Sequence, residues 1–166
     1  MPTFRQLPKS IFRWIKRPPQ LAYAIGLGPL IGRLVLLLTT TGRVTGKRRV
    51  TPLQFESVGE KFYVGSARGI KADWVRNILV DDQVKVRVKN QRFNGTAEVI
   101  TDVEKIIEFL LLRLQHHPHM MTVMLKSDGI PKNPDRHLLM DYASQIALVE
   151  ITPNRTSSRA RDVDDK

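Results

Sequence analysis

Cysteine is absent from this chain of 166 residues. Its absence excludes disulfides, thiolate nucleophiles and metal or iron–sulfur sites built on cysteine, and it suits a cytoplasmic protein. Histidine is scarce, with four residues and no His-Glu-x-x-His pattern, so a catalytic zinc site has little support. We interpret the histidines in the run 116–119 as polar residues at a helix C-terminus, because no carboxylate is adjacent to them. We therefore expect no metal.

An uninterrupted transmembrane run is also missing. The apolar stretch 21–38 contains three glycines, Pro29 and Arg33, and an arginine near the centre of a membrane helix is costly. The stretch comes late and has no small-residue cleavage site, so no signal peptide is predicted. The length fits one domain with a single buried core.

Acidic residues are few: 16 Asp and Glu stand against 27 Lys and Arg, for a formal net charge of +11. This balance favours nucleic acid, anionic lipid or a polyanionic small molecule as partner. Few aromatic residues lie among the cations beyond the N-terminal segment, so nucleic acid is the least favoured of the three.

Residues 1–20 form a basic amphipathic segment with five cations and no acid. Its apolar residues fall on one helical face, and Pro18 and Pro19 end the pattern. The helix either packs its apolar stripe on the domain or lies on an anionic membrane surface.

The rest of the pattern predicts antiparallel hairpins with inserted helices. Strands are expected at 36–41, 48–53, 61–66, 84–88, 93–100 and 145–152, and helices at 71–80, 102–114, 120–125 and 135–142. Asn94-Gly95 predicts a bulge or a second turn, while Leu79 and Leu111 are expected to face inward. The order favours a mainly β, α+β fold: a small antiparallel barrel with flanking helices.

The stretch most informative about function is the predicted hairpin 36–53, where two β-type runs enclose a turn that contains two glycines. Four cations gather there: Arg43, Lys47, Arg48 and Arg49. The glycines are expected to turn backbone N–H groups toward a ligand, so the loop predicts an anion site, foremost for phosphate. A solvated basic hairpin is the alternative. A Walker A loop does not fit, because no Ser or Thr follows Lys47 and a strand, not a helix, comes next.

A second stretch, 66–78, reads as a loop that opens into a helix N-terminus beside Arg68 and Lys71. Such an N-terminus favours anions. The alternative is an ordinary strand-to-helix connector with Trp74 in the core.

Together, the two stretches resemble the deazaflavin-dependent nitroreductase family. The resemblance rests on Leu37-Leu38-Thr39-Thr40-Thr41-Gly42-Arg43-x-x-Gly46-x-x-Arg49-x-Thr51-Pro52-Leu53, then Ser66-x-x-Gly69 and Asp73-Trp74-x-x-Asn77-Ile78. It runs from about residue 30 to 88. Members are split β-barrel oxidoreductases related in fold to FMN-binding reductases. The resemblance therefore implies a cofactor-binding split barrel at 21–153, between the segment 1–20 and a flexible polar tail at 154–166.

The same resemblance implies coenzyme F420, a deazaflavin with a phosphodiester and an oligoglutamate tail. The residues implied to hold its phosphate and tail are Arg43, Thr45, Gly46, Lys47 and Arg49. Thr51, Pro52 and Leu53 would border the deazaflavin ring, and the pocket would be completed by Ser66, Ala67, Lys71, Trp74 and Asn77.

The first functional hypothesis is thus a cytoplasmic F420-dependent oxidoreductase that transfers a hydride to a small organic acceptor. Tyr63 and Tyr142 are the candidate proton donors. One alternative keeps the fold and replaces F420 with FMN or FAD; another is a non-catalytic basic module for nucleic acid or a membrane surface. A homodimer and a peripheral membrane contact through residues 1–20 are further expectations.

Overall fold

A computed structural model describes residues 35–131 and 133–154 of the chain. The strands are β1 (Val35–Thr41), β2 (Arg48–Val58), β3 (Lys61–Ser66), β4 (Gln83–Val88), β5 (Gln91–Ile100) and β6 (Ala147–Pro153). The helices are α1 (Asp73–Ile78), α2 (Val103–His116), α3 (Pro118–Ser127) and α4 (Arg136–Gln145), and a 3₁₀ turn spans Gly69–Lys71. The predictions for residues 1–20, and for the tail beyond residue 154, lie outside the described residues.

The six strands close into a barrel in the order β1-β2-β3-β6-β5-β4, with every neighbouring pair antiparallel. Closure leaves no free sheet edge along these pairings. The predicted antiparallel barrel with flanking helices is confirmed.

The barrel interior follows the period of two that the sequence displays. On β4, Val84, Val86 and Val88 are buried, while Lys85 is exposed between them. Residues of β1, β3 and β6 complete the same interior cluster, among them Leu36, Leu38, Val64, Val149 and Ile151. Apolar burial at alternate positions fixes the register, because a slip of one residue would turn these side chains to solvent.

Helices α2, α3 and α4 form a second apolar cluster that involves the outer face of β3 and β6. The carboxylate of Asp102 caps α2 by accepting the backbone N–H of Lys105 at 3.0 Å, and Asp135 caps α4 through Leu138 at 2.8 Å. Both caps satisfy N–H groups that the first helical turn leaves unpaired. These two helix starts agree with the sequence predictions.

The predicted bulge or turn at Asn94-Gly95 is wrong. Both residues lie inside β5, where Asn94 pairs with Lys85 and Gly95 pairs with Val84. A Cβ at Gly95 would approach the carbonyl oxygen of Thr152 to 2.9 Å. The glycine therefore allows β5 and β6 to approach closely.

The prediction that Leu79 and Leu111 face inward is also wrong. Leu79 follows the end of α1 and is 59% exposed, and Leu111 on α2 is 51% exposed. Phe109 is buried on α2 instead and packs in the helical cluster. Residues 109–112 of α2 are all apolar, so this run by itself does not single out the buried face.

Antiparallel pairing brings several connections to one end of the barrel. They are the hairpin loop 42–47, the segment 67–82 that includes α1, the corner at 101–102 and the junction of α4 with β6. This end therefore collects both stretches that the sequence singled out. None of the helices in the described ranges is long and apolar enough to cross a membrane.

Candidate functional site

The hairpin loop 42–47 is closed by its own backbone. The N–H of Gly42 donates to the carbonyl oxygen of Lys47 at 2.8 Å, and that of Gly46 donates to Gly42 at 2.7 Å. Gly46 has a φ of 65°, a left-handed conformation that favours glycine. A Cβ at Gly42 would lie 3.0 Å from the Lys47 oxygen. The glycines thus permit the tight turn.

The expectation that these glycines present backbone N–H groups to a ligand is wrong for most of the loop. The N–H groups of Gly42 and Gly46 are used inside the loop, and that of Arg43 donates to the side-chain oxygen of Asn77 at 3.1 Å. The loop therefore offers an anion chiefly its cationic side chains.

Arg43 turns toward α1 rather than toward solvent. Its guanidinium donates to the Asp73 carboxylate at 3.0 Å and to the side-chain oxygen of Asn77 at 3.2 Å. Asn77 is buried, and its amide nitrogen donates to the hydroxyl of Thr40 at 3.1 Å. The two sequence stretches are thus joined by a hydrogen-bonded set that includes one ion pair.

The other hairpin cations behave differently. Lys47, Arg48 and Arg49 are exposed, and none of them makes an ion pair with any residue that the structure describes. Thr45 lies among them, and its hydroxyl accepts the N–H of Lys47 at 3.4 Å. Lys47 ends the turn and Arg48 and Arg49 begin β2, so three exposed positive charges follow one another there and favour an anion nearby.

The N-terminus of α1, where the sequence predicts an anion site, carries a carboxylate of its own. The helix has six residues, and its first residue is Asp73, whose carboxylate already faces Arg43. A carboxylate there supplies the negative charge that the helix end favours.

The remaining residues of the second stretch divide between interior and surface. The hydroxyl of buried Ser66 donates to the carbonyl oxygen of Gly69 at 2.9 Å, and Trp74 packs against the barrel interior. Ala67 and Lys71 are exposed and line a cleft outside the hairpin. The structure thus brings Asn77 and Arg43 together but places Lys71 elsewhere on this end of the barrel.

The three β2 residues implied to border the ring lie on both faces of the strand. Thr51 and Leu53 pair with Leu38 and Leu36, whose side chains fill the interior, while Pro52 pairs with Leu37 at the outward register position. Leu53 packs against the interior cluster together with Trp74.

The two tyrosines predicted as proton donors, Tyr63 and Tyr142, both have a raised pKa. Burial, followed by the hydrogen bond and charge of Glu150, raises the pKa of Tyr63 to about 12, and its hydroxyl donates to that carboxylate at 2.7 Å. Burial and Asp128 also raise the pKa of Tyr142, which donates to Asp128 at 2.8 Å. Both hydroxyls are engaged with carboxylates, and Tyr63 packs in the helical cluster.

A carboxylate does stand beside the histidines of the run 116–119, contrary to the sequence interpretation. Buried Glu56 of β2 contacts Nδ1 of His116 at 2.8 Å and lies 3.2 Å from Nε2 of His117. Buried Arg113 lies 3.9 Å from the same carboxylate, and burial lowers its pKa despite that charge. No group of His, Asp and Glu in the described part of the chain could hold a metal ion.

From the sequence, Arg48 and Arg68 count among the cations of the two predicted anion sites, but neither Asp73 nor Thr40 was given a binding role. Arg48 borders a polar cavity of about 320 Å³ at the base of the hairpin, and Arg68 lines a separate cleft. Asp73 and Thr40 act by holding Arg43 and Asn77. Arg48 and Arg68 were visible as cations inside the two motifs, whereas the other two roles depend on contacts distant in sequence.

The donor set fits a polyanionic cofactor. Exposed guanidinium and ammonium groups, gathered on a loop that the barrel holds in place, match a phosphodiester with carboxylates attached.

Comparison with solved structures finds proteins of the same fold. Among solved structures, the conserved hypothetical protein Rv2991 of Mycobacterium tuberculosis is 14% identical, with 80% of each chain covered and a TM-score of 0.56. The haem storage protein HutZ of Vibrio cholerae is 18% identical over 74% of this chain and 83% of its own, with a TM-score of 0.51. A protein described as a domain-swapped dimer is 20% identical over 87% and 99%, with a TM-score of 0.51. These likenesses show a shared fold.

The match to a protein family is more specific. Residues 23–131 match the F420H(2)-dependent quinone reductase family, and this range includes the hairpin, α1 and most of the barrel. The match supports the split β-barrel fold, the oxidoreductase activity and the cofactor that the two sequence motifs imply. The chain belongs to the F420H(2)-dependent quinone reductase family and is an F420-dependent oxidoreductase.

Proposed function

We propose that this protein reduces a quinone-type small molecule and holds F420 by the exposed cations of the hairpin. The observation that carries the proposal is the contrast between Arg43 and its neighbours. Arg43 is bound to Asp73 and Asn77, whereas Lys47 and Arg49 have no ion pair with a described residue. One cation fixes the loop, and the others stay available to the cofactor.

The residues proposed to hold F420 are those of the two motifs. They are Arg43, Thr45, Gly46, Lys47, Arg49, Thr51, Pro52, Leu53, Ser66, Ala67, Lys71, Trp74 and Asn77. Within this set, Lys47 and Arg49 would contact the phosphodiester and the tail, because charge-assisted hydrogen bonds are stronger than neutral ones. Arg43, Asn77 and Gly46 would act by shaping the loop, since their polar groups are engaged inside the protein.

F420, when bound and reduced, supplies a hydride. The protein is left to bind, orient and exclude water around the reacting groups. Reduction of a quinone to a hydroquinone also needs a proton. Tyr63 and Tyr142 are poor sources because both pKa values are raised and both hydroxyls are bound to carboxylates. We infer that the proton comes from solvent.

Family membership favours F420 over FMN or FAD, and an enzyme over a non-catalytic basic module. The quinone is the finer proposal, and its support is the description of the family.

An anaerobic assay tests the acceptor. Reduced F420 is mixed with the protein and menadione, a naphthoquinone, and the return of the oxidised cofactor's fluorescence is followed. We expect fluorescence to return much faster with protein than without it. A protein that binds F420 but never speeds this reaction with menadione would contradict the quinone proposal. The absence of cysteine excludes capture of the quinone by a thiol.

A homodimer and membrane contact through residues 1–20 remain predictions. Light scattering coupled to gel filtration tests the first; a mass of one chain excludes a stable homodimer. Sedimentation with anionic vesicles, with and without residues 1–20, tests the second; equal binding removes the role of that segment.

A further inference from the structure

The outer face of the barrel holds a polar cavity of about 320 Å³ beside the base of the hairpin. Its volume lies at the lower end of the range that small-molecule sites occupy, about 300–1,000 Å³. Four neighbouring strands contribute polar side chains to it: Thr39 and Thr41 from β1, Arg48 from β2, Lys85 from β4 and Asn94 from β5. The cavity is thus large enough for a small polar ligand.

The strand register places these five residues on one face of the sheet. Thr41 pairs with Arg48, Thr39 pairs with Lys85, and Lys85 pairs with Asn94. Lys85 is exposed between two buried valines of β4, so this face is the outer one. The strands β2 and β4 flank β1 and therefore lie about 10 Å apart. The long side chains of Arg48 and Lys85 thus approach the cavity from opposite sides, with the two threonines between them.

Arg48 lies apart from the hairpin cations that are proposed to hold the cofactor. Arg48 and Arg49 follow one another in β2, so their side chains leave opposite faces of the strand. Arg49 pairs with Thr40, whose side chain is buried on the interior side. Arg48 pairs with Thr41 on the outer face, and neither Lys47 nor Arg49 lines the cavity. The cavity therefore uses an arginine that the proposed cofactor site leaves out.

The polar groups of the five side chains are unused inside the protein. Within the described ranges, none of these side chains makes a hydrogen bond or an ion pair with another residue. Asp81 also lines the cavity, and its carboxylate accepts the backbone N–H of Gln83 at 3.1 Å. Two cations against one carboxylate leave the wall with an excess of positive charge. Such a wall suits a ligand that carries negative charge and several acceptor oxygens.

We infer that this cavity binds a small free oxyanion such as phosphate, at a site separate from that of the cofactor. The guanidinium of Arg48 and the ammonium of Lys85 supply charge-assisted hydrogen bonds to its oxygens. The hydroxyls of Thr39 and Thr41 and the amide of Asn94 supply neutral ones. Phosphate has several oxygens around one centre, so it can accept from donors that stand on different strands.

Phosphate binding to the full-length protein without cofactor tests the site. NMR follows the backbone N–H signals as phosphate is added at constant ionic strength, with chloride as the reference anion. We expect phosphate, but not chloride, to shift the signals around Thr39 and Lys85 until they saturate. Arg48→Gln and Lys85→Gln should each weaken phosphate binding about tenfold or more. Arg92→Gln, which removes an exposed arginine of β5 outside the cavity, should bind phosphate as the wild type does.

Thr39→Val separates a specific site from general attraction to a basic surface. It removes one hydroxyl without changing the net charge, and it keeps a β-branched side chain on β1. We expect phosphate affinity to fall about threefold or more. Unchanged affinity in Thr39→Val, together with equal losses in Arg48→Gln and Arg92→Gln, would overturn the site. Equal responses of the wild-type signals to phosphate and to chloride would overturn it as well.

F420 titrations in phosphate-free buffer distinguish this site from that of the cofactor. We expect Arg48→Gln and Lys85→Gln to bind F420 within about twofold of the wild type, because separate sites act independently. Weaker F420 binding in both variants, with displacement of phosphate by F420, would overturn the separate site and assign the cavity to the cofactor. A wild type that does not bind phosphate overturns this inference and leaves the proposed function standing. A wild type that binds phosphate but never reduces a quinone overturns the proposed function alone.

Discussion

The side-chain oxygen of Asn77 accepts two hydrogen bonds from Arg43, one from the backbone N–H at 3.1 Å and one from the guanidinium at 3.2 Å. These residues are 34 positions apart, one in the hairpin loop and the other on α1. Asn77 also reaches Thr40 at the end of β1. A single buried amide thus ties the loop to the barrel and to the helix beside it.

Asn77→Ala should loosen the loop. The substitution leaves a backbone N–H of Arg43 and the Thr40 hydroxyl without their partner, and we expect the free energy of unfolding to fall by about 1–3 kcal/mol. Urea denaturation measures this loss. Asn90→Ala, at an exposed turn, is the control and should change stability by less than about 0.5 kcal/mol. Equal stability of the two variants would show that the Asn77 contacts contribute nothing.

Gly69→Ala should destabilise the 3₁₀ turn. The residue has a positive φ, and the added methyl group would lie 2.7 Å from the carbonyl oxygen of Gln145. We expect a loss of at least about 1 kcal/mol in urea denaturation, since such strain typically costs 1–3 kcal/mol. Gly65→Ala is the matched control, because its methyl group would make only a 3.9 Å contact with Phe109. Similar effects of the two changes would refute the argument from close approach.

Tyr63 should make stability fall at alkaline pH. Its pKa is raised to about 12 in the folded state, whereas a tyrosine in an unfolded chain ionises near 10. Between these values the unfolded state loses the tyrosine proton before the folded state does. The contribution of Tyr63 to the free energy of unfolding is therefore complete below about pH 10 and is lost as pH rises toward about 12. Urea midpoints measured across this range should decline less in Tyr63→Phe than in the wild type. Parallel declines would contradict the raised pKa.

Glu150 gives the opposite dependence at acid pH. Burial raises its pKa, but hydrogen bonds from Lys61 and Tyr63 outweigh burial, so the net pKa lies below the ordinary value. Its contribution is therefore present above the unfolded pKa and is lost as pH falls through the folded one. Lys61→Gln removes the ion pair, and we expect a shallower loss of stability on acidification, measured by urea midpoints. A slope identical to that of the wild type would exclude this role for Lys61.

The strands were predictable because both of their signals, alternating apolar residues and turn residues, are contained in short stretches of the sequence. The pattern of Val84, Val86 and Val88 reports one buried face directly, and β3 begins and ends where the sequence predicts. The bulge or turn at Gly95 was predicted wrongly because a glycine within a strand indicates either a bulge or a close approach of two strands. Only the contact with the neighbouring β6 distinguishes the two.

The candidate site was predictable as a set of residues but not as an arrangement. The cations of the hairpin are evident in the sequence, yet the inward turn of Arg43 depends on Asp73 and Asn77, which lie far along the chain. The same holds for Glu56, which meets His116 across 60 positions. Such polar pairings carry no periodicity, so sequence reasoning has no signal for them.

The most direct measurement compares F420 with its deazaflavin riboside, which lacks the phosphodiester and the glutamates. Fluorescence titrations of both ligands are made with the wild type, Lys47→Ala, Arg49→Ala and the control Lys126→Ala, an exposed lysine on α3. If the hairpin holds the anionic part of the cofactor, each hairpin variant weakens F420 binding about tenfold or more and leaves riboside binding unchanged. If both hairpin variants bind F420 as tightly as the wild type and Lys126→Ala do, the hairpin is not the anion site.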